Sequence, residues 1–335
     1  MCTFTTYNHY PRMYTSYFKK QGQKDNVHSI AFYNLDNLFD VYDDPDTLDD
    51  DFTPTGNKRW TLRRYKNKVQ KISEVLSNIG LEHAFIPPVF VGLAELENES
   101  VLIDLVESKK LAPFNYDYVH YDSPDERGID VGFIYQKKYF ELLDSKKYPL
   151  MLFDEKGKRD YTRDMLLVKG RLFGELLYII VNHWPSRRSG TEESMPKRIT
   201  AAKRVHEIVK EIQTEEAEAK IIIMGDFNDG PKDISIKKYL VTPDFYNPME
   251  MLKDKGEGSL IYKKEWLLFD QIIFSKNFFN DSSNELTYRY ADVFDPEFIK
   301  TWKGKHKNSP HRTYIGKWHQ GGFSDHFPVF IYLEK

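Results

Sequence analysis

The sequence predicts an α/β protein with sheets inside and helices outside, and three observations carry that prediction. Short apolar runs alternate with stretches in which apolar residues recur every three or four positions, as strands and helices in turn would require. Several apolar runs, such as Val-Phe-Val-Gly-Leu at 89–93 and Ile-Ile-Ile-Met-Gly at 221–225, have no polar alternation, so both faces of those strands are covered. No repeat and no Pro/Gly/Ser-rich linker divides the chain. One domain is therefore expected over residues 26–335. Residues 1–25, polar and tyrosine-rich without periodicity, read as a loosely attached arm.

In chain order, strands are expected at 29–34, 89–95, 129–135, 176–182, 221–225, 267–274 and 329–333. The clearest helix covers 62–79, where Leu62, Tyr65, Val69, Ile72, Leu76 and Ile79 fall on one face and Thr61 is the N-cap. A second helix covers 196–216, with Pro196 suited to the first turn and Ile199, Val205, Ile208 and Ile212 on one side.

Composition removes several function classes. Lys plus Arg is 48 against 51 for Asp plus Glu, a net charge of −3, so a polyanion would have to be met by a local patch. A hydrophobic share of 40% and an aromatic share of 15% supply a packed core and exclude disorder across a whole domain. The single cysteine, Cys2, allows neither an intrachain disulfide nor a thiolate zinc cluster and suits a reducing compartment. With no apolar run long enough to span a membrane and no leader-like segment, a cytoplasmic protein without a membrane anchor or an obligate protein partner is expected.

The functional signal lies where the apolar strands stop. Asn34-Leu35-Asp36-Asn37 closes the first strand, Glu95 the second, Asn182-His183-Trp184 a later one, and Gly225-Asp226-Phe227-Asn228-Asp229 the next. Strand ends in α/β proteins form the crevice that takes ligands, so carboxylates, amides and a histidine converge on one kind of place. Near the C-terminus, Gly321-Gly322-Phe323-Ser324-Asp325-His326-Phe327-Pro328 adds a flexible turn, an acid and a proton carrier. Oxygen donors without cysteine point to a hard cation, Mg²⁺ or Mn²⁺, which binds through one or two carboxylates and a substrate phosphate.

These residues match a known pattern. The elements are Tyr33-Asn34-Leu35-Asp36-Asn37-Leu38-Phe39-Asp40, Val91-Gly92-Leu93-Ala94-Glu95, Arg127-Gly128-Ile129-Asp130-Val131 and Asn182-His183-Trp184-Pro185-Ser186-Arg187. Gly225-Asp226-Phe227-Asn228, Phe269-Asp270-Gln271-Ile272 and Ser324-Asp325-His326-Phe327-Pro328 follow in order. Through them the chain resembles the endonuclease/exonuclease/phosphatase superfamily of deoxyribonuclease I-like enzymes, and within it the bacterial nuclease-like branch. The resemblance implies a four-layer α/β/β/α sandwich of two mixed sheets flanked by helices. It also implies a metal site at Asn34, Asp36, Glu95 and Asp325, with Glu95 the principal ligand. Asp226 and Asn228 would position the attacking water and hold phosphate, His326 would contact the scissile phosphate with Asp270 orienting it, and His183 would sit where relatives protonate the leaving oxygen.

The implied activity is metal-dependent hydrolysis of phosphodiesters, with nucleic acid as the first-choice substrate and a small molecule or lipid headgroup as the alternative. Arg127 and Arg187 are the expected phosphate contacts, with Arg188 beside them. Lys58-Arg59-Trp60 with Arg63-Arg64, and Lys303, Lys305, His306 and Lys307, are basic clusters that could follow a polynucleotide backbone or merely face solvent. Asn277-Phe278-Phe279 is the only candidate for contact with a bilayer. A fold that has kept its shape and lost its chemistry would lack one of the site positions, and none is missing.

Overall fold

A computed structural model describes residues 24–188, 190–280 and 285–335. The arm expected over 1–25 lies almost wholly outside the described residues, as does Cys2. The chain runs through β1 (Val27–Leu38), α1 (Leu62–Leu76), β2 (Phe90–Leu96), α2 (Glu99–Val106), β3 (Tyr116–His120), β4 (Asp130–Gln136) and β5 (Phe140–Tyr148). A hairpin of β6 (Leu152–Phe153) and β7 (Arg159–Asp160) leads to β8 (Met165–Leu172), β9 (Glu175–His183), α3 (Thr191–Glu215) and β10 (Lys220–Asp226). Next come α4 (Ile234–Lys237), β11 (Phe245–Tyr246), α5 (Met249–Asp254), the hairpin β12 (Leu260–Tyr262) and β13 (Glu265–Leu267), then β14 (Asp270–Ser275). β15 (Thr287–Val293), the hairpin β16 (Tyr314–Ile315) and β17 (Trp318–His319), and β18 (Val329–Glu334) complete it.

Two six-stranded mixed sheets result, one in the order β15-β18-β1-β2-β4-β3 and the other β11-β14-β10-β9-β8-β5. The side chains of β9 and β10 explain why those strands lack polar alternation. Leu177, Ile179, Val181, Ile222 and Met224 join the same apolar cluster as Phe32 and Phe90 of the first sheet. Tyr178, Ile180, Ile221 and Ile223 point the other way, under Ala201, Ala202, Val205, Ile208 and Ile212 of α3. Gly92 permits the close approach of the sheets, since a Cβ there would come within 2.5 Å of Met224 Sδ. With α1 and α2 on the first sheet and α3 on the second, the expected four-layer sandwich is present.

Both predicted helices exist with shifted bounds. α1 stops at Leu76, and Ile79 is buried beyond its end. Thr61 stands at the N-cap position with an extended backbone but makes no side-chain cap. α3 starts at Thr191, so Pro196 sits inside it rather than in its first turn. Glu192 and Glu193 fill that first turn, where acidic side chains favour the exposed N–H groups, and Pro196 leaves one hydrogen bond of the early helix unmade. The Asn277-Phe278-Phe279 segment is spent on the core, with Phe278 buried and Phe279 packed against the apolar cluster.

Candidate active site

β1 and β2 do not end as regular strands. Their pairing slips between Asn34 and Leu38, and Glu95 lies at a second irregularity opposite β4. Asp36, Asn37 and Glu95 take left-handed backbone conformations there (φ 52°, 59° and 60°), and Asn228 does so beyond β10 (φ 50°). Such backbone costs a residue with a Cβ about 1–2 kcal/mol, and a bulge beside an active site re-aims side chains. Here it turns Asp36 and Glu95 into a common cleft.

Three backbone and amide donors fix this corner. Asn34 Nδ2 donates to Asp226 Oδ2 at 3.0 Å, Asp36 N donates to Asn34 Oδ1 at 3.0 Å, and Asn37 N donates to Glu95 Oε2 at 3.1 Å. The first of these ties the two sheets together through their strand ends. Thr313 N reaches Asp36 Oδ2 at 3.1 Å, and Ser324 Oγ donates to Asn34 O at 2.7 Å, so the segment before β18 is bound to the same corner. Asp325 pairs with Arg312 and holds one oxygen 3.8 Å from His326 Nε2.

The second sheet supplies the proton-handling side. Asp270 Oδ2 lies 2.6 Å from His326 Nδ1, both groups being buried. Asp226 accepts from Asn228 N at 2.9 Å, while Asn228 Nδ2 donates to Trp184 O at 2.9 Å, bracing the ends of β9 and β10. His183 Nε2 stands 3.8 Å from both Glu95 Oε1 and Asp226 Oδ2, and its Nδ1 has no hydrogen-bond partner among the described residues. Trp184 and Phe227 pin the two strand ends with an edge-to-face contact at 4.7 Å. Gly225 is required between them, since a Cβ would meet Asn182 O at 2.3 Å.

Burial and charge set these groups apart. Burial would lower His326, but the Asp270 charge and hydrogen bond, with Asp325 and Asp226 behind, hold it well above the usual imidazole value. Burial drives His183 well below that value, helped by the positive charges of Arg163 and Arg127. Asp226 is pushed up to about 7 by burial and then by Asp270. Asp36 rises to about 7 through burial and then through the nearby Asp325 carboxylate.

The cleft outside these groups holds about 280 Å³ and is lined by Lys58, Arg127, Arg188 and Arg312 together with Phe52 and Tyr314. Arg127 lines the cleft with its guanidinium 3.7 Å from Asp125. Arg187 does not. Its guanidinium donates to Asn228 O at 2.7 Å and to Asp229 and Asp233 at 2.5 Å, and lies 4.6 Å from the Phe269 ring centroid. The run of acids after Asn228 captures the arginine, making it a brace for the loop. Lys303, Lys305, His306 and Lys307 do not line the cleft.

Three contributors went unread in the sequence. Arg312 lies in the long segment before β18, and buried Arg163 holds Asp125 at 3.0 Å and Trp184 O at 2.7 Å. Neither carries a local signal. Lys68 does, because it interrupts the apolar stripe Tyr65, Val69, Ile72 of α1; it is buried and donates to Asp36 O at 3.3 Å, to Phe323 O at 2.5 Å and to Thr313 Oγ1.

The donors suit a hard divalent ion. Glu95 Oε1 has no hydrogen bond among the described residues, and Asn34, Asp36 and Asp325 add oxygen atoms nearby, with no thiolate. Asp226, Asp270 and His326 also bring ligand-type atoms within 4.8 Å of one another. In that trio Asp270 Oδ2 and His326 Nδ1 already share a 2.6 Å hydrogen bond. His120, Asp122 and Asp130 form a further group, in which His120 Nε2 and Asp130 Oδ2 pair at 3.0 Å.

Strand ends that gather hard oxygen donors, a carboxylate-held imidazolium and arginines around one cleft are the equipment of metal-dependent phosphoester hydrolases, and this protein is of that class. A sequence profile of the Endonuclease/Exonuclease/phosphatase family matches residues 29–335, and the chain belongs to that family. No curated protein matches it in sequence.

Solved structures are similar in fold. TDP2 from D. rerio, crystallised with a single-strand DNA product, is 16% identical with a TM-score of 0.56, covering 93% of this chain and 100% of that one. A mannosyl-6-phosphatase from Bacteroides thetaiotaomicron VPI-5482 is also 16% identical, with a TM-score of 0.55, covering 92% of this chain and 100% of its own. An endonuclease/exonuclease/phosphatase from Bacteroides vulgatus is 14% identical with a TM-score of 0.56, covering 92% and 98%. No helix among the described residues is long and apolar enough to cross a membrane.

Proposed function

We propose that this chain is a nuclease, a Mg²⁺- or Mn²⁺-dependent phosphodiesterase of DNA or RNA, with residues 26–335 acting as one catalytic unit. The observation that carries the reading is the set of four cationic side chains, Lys58, Arg127, Arg188 and Arg312, on one cleft beside the carboxylates. That is more positive charge than a single phosphate group needs, and it suits successive phosphates of a strand. The DNA complex of the structurally similar D. rerio TDP2 supports the same substrate class. The mannosyl-6-phosphatase supports a second reading, a small-molecule phosphoesterase.

Glu95, with Asn34, Asp36 and Asp325, would hold the ion. When bound, it supplies Lewis-acid neutralisation of charge on a phosphate oxygen. His326, kept cationic by Asp270, donates Nε2–H to another phosphate oxygen and has the proton that the departing oxygen needs. Asp226, near neutrality in affinity for a proton, receives one from the attacking water. Asn228 spends one amide hydrogen on Trp184 O and keeps the other for phosphate. His183 stays neutral and acts as a hydrogen-bond donor beside Glu95 and Asp226. Arg127 meets the phosphate from the cleft wall.

Hydrolysis of plasmid, single-stranded DNA, RNA, inositol phosphates and a sugar phosphate, each with Mg²⁺, Mn²⁺ or EDTA, tests this. Cleavage of a polynucleotide that EDTA abolishes is expected. Faster turnover of a phosphomonoester, with polynucleotides left intact, would replace the first reading by the second.

A further inference from the structure

The hairpin β16–β17 has two unlike faces. Tyr314 and His319, which pair across it, pack inward: Tyr314 lies 5.9 Å from Trp60 and 6.2 Å from Phe52, and His319 lies 6.4 Å from Trp60. The other pair, Ile315 and Trp318, takes the opposite face by strand alternation. These two are 43% and 69% exposed, an unusual placement for large apolar side chains on a short hairpin.

The hairpin is also fixed to the cleft. Lys58 Nζ donates to Gly316 O at 2.8 Å and Tyr314 Oη donates to Lys58 O at 2.9 Å, while Lys58, Tyr314 and Gly316 themselves line the cleft. Thr313, just before the hairpin, holds Asp36 Oδ2. Trp318 is therefore an exposed indole on a hairpin whose turn residue Gly316 lines the cleft, with Lys317 Nζ 5.6 Å from its ring centroid.

We infer that Trp318 is a stacking platform for a base of a single-stranded polynucleotide, next to the nucleotide whose phosphate is cut. A ring exposed to water on a hairpin whose backbone is tied down at Thr313 and Gly316 needs little rearrangement to stack, and a π face accepts any base. Lys317 lies beside its ring and Lys58 lines the adjoining cleft, so positive charge is at hand for the linking phosphates of a stacked strand, and this charge favours a polynucleotide over an uncharged apolar surface. The inference rests on the nuclease reading and adds to it the position that engages a flanking base.

The test uses the full chain and its Trp318→Ala and Trp318→Phe variants in EDTA, so that strands bind without being cut. Fluorescence anisotropy measures binding of a single-stranded oligothymidylate of about ten nucleotides, and of an abasic strand with the same phosphates. Trp318→Ala should weaken the oligothymidylate by about 5- to 100-fold and leave the abasic strand unchanged, while Trp318→Phe keeps most of the affinity. Equal affinity of wild type and Trp318→Ala for the oligothymidylate overturns the platform, and the nuclease reading survives if wild type still cleaves DNA or RNA. Equal loss for both strands assigns Trp318 to holding the cleft in shape and also overturns it. Binding of wild type to phosphatidylcholine vesicles, lost in Trp318→Ala, with no strand bound, makes the hairpin a lipid contact and removes both readings.

Discussion

Two buried histidines stand on either side of Asp226, and they are held in opposite states. His326 has the Asp270 carboxylate 2.6 Å from its Nδ1 and keeps its proton; His183 has no partner on Nδ1 among the described residues, feels Arg163 and Arg127, and gives its proton up. Burial alone would make both neutral. One well-placed carboxylate reverses that for His326, while a pair of guanidinium groups reinforces it for His183. A residue type at a strand end thus names a candidate, but its neighbours decide whether it delivers charge or only a hydrogen bond.

The largest expected effect breaks the comparison outright. His326→Ala removes a fixed cation from the developing transition-state charge and should cost about 10³-fold or more in kcat/KM, roughly 4 kcal/mol. His183→Ala removes a neutral donor and should cost about 10²-fold or less. Steady-state kinetics on the substrate found for wild type decides it. A reversed order would mean that His183 carries the charge and that the assignment of states is wrong.

A smaller effect sharpens it. His326 is charged only because its affinity for a proton is raised, so its contribution is present at low pH and lost as pH climbs through the raised value. Asp270→Asn removes the charge that raises it, and the alkaline limb of kcat should move to lower pH. Near pH 6 the variant should be within about tenfold of wild type, and by pH 8 it should fall about 10²-fold behind. A pH profile of kcat that drops uniformly, without displacement of the limb, would assign Asp270 to packing alone.

The sequence made seven of the eight interior strands legible because both faces of those strands are covered and their runs are mostly apolar. It left β8 and the edge strands β3, β5, β11 and β15 unread. β5 shows why, since only its two end residues, Phe140 and Tyr148, are buried and the rest carry mixed or exposed side chains. α2 was missed although Asn98 caps it, accepting from Val101 N at 3.2 Å, because eight residues give too few turns for a period to register. The site residues on strand ends were legible as residue types following apolar runs. Lys68 showed only as a break in the apolar stripe of α1, its partners Thr313 and Phe323 lying far along the chain, and Arg163 and Arg312 sit outside any periodic or apolar run that would single them out.

The smallest expected effect separates two arginines that look alike in sequence. Arg127 lines the cleft and Arg187 does not, being held by Asn228 O, Asp229, Asp233 and the Phe269 ring. Arg127→Ala should raise KM several-fold, a loss of about 1–2 kcal/mol for one charge-assisted phosphate contact, with Tm unchanged. Arg187→Ala should leave KM near wild type and lower Tm by a few degrees, about 1 kcal/mol. Buried Asp229 keeps Arg198 at 2.7 Å when Arg187 is gone, which limits the damage to the loop. Thermal melts and Michaelis curves on the two variants place each arginine on one axis or the other. A large KM effect from Arg187→Ala with an unmoved Tm would return that side chain to the substrate.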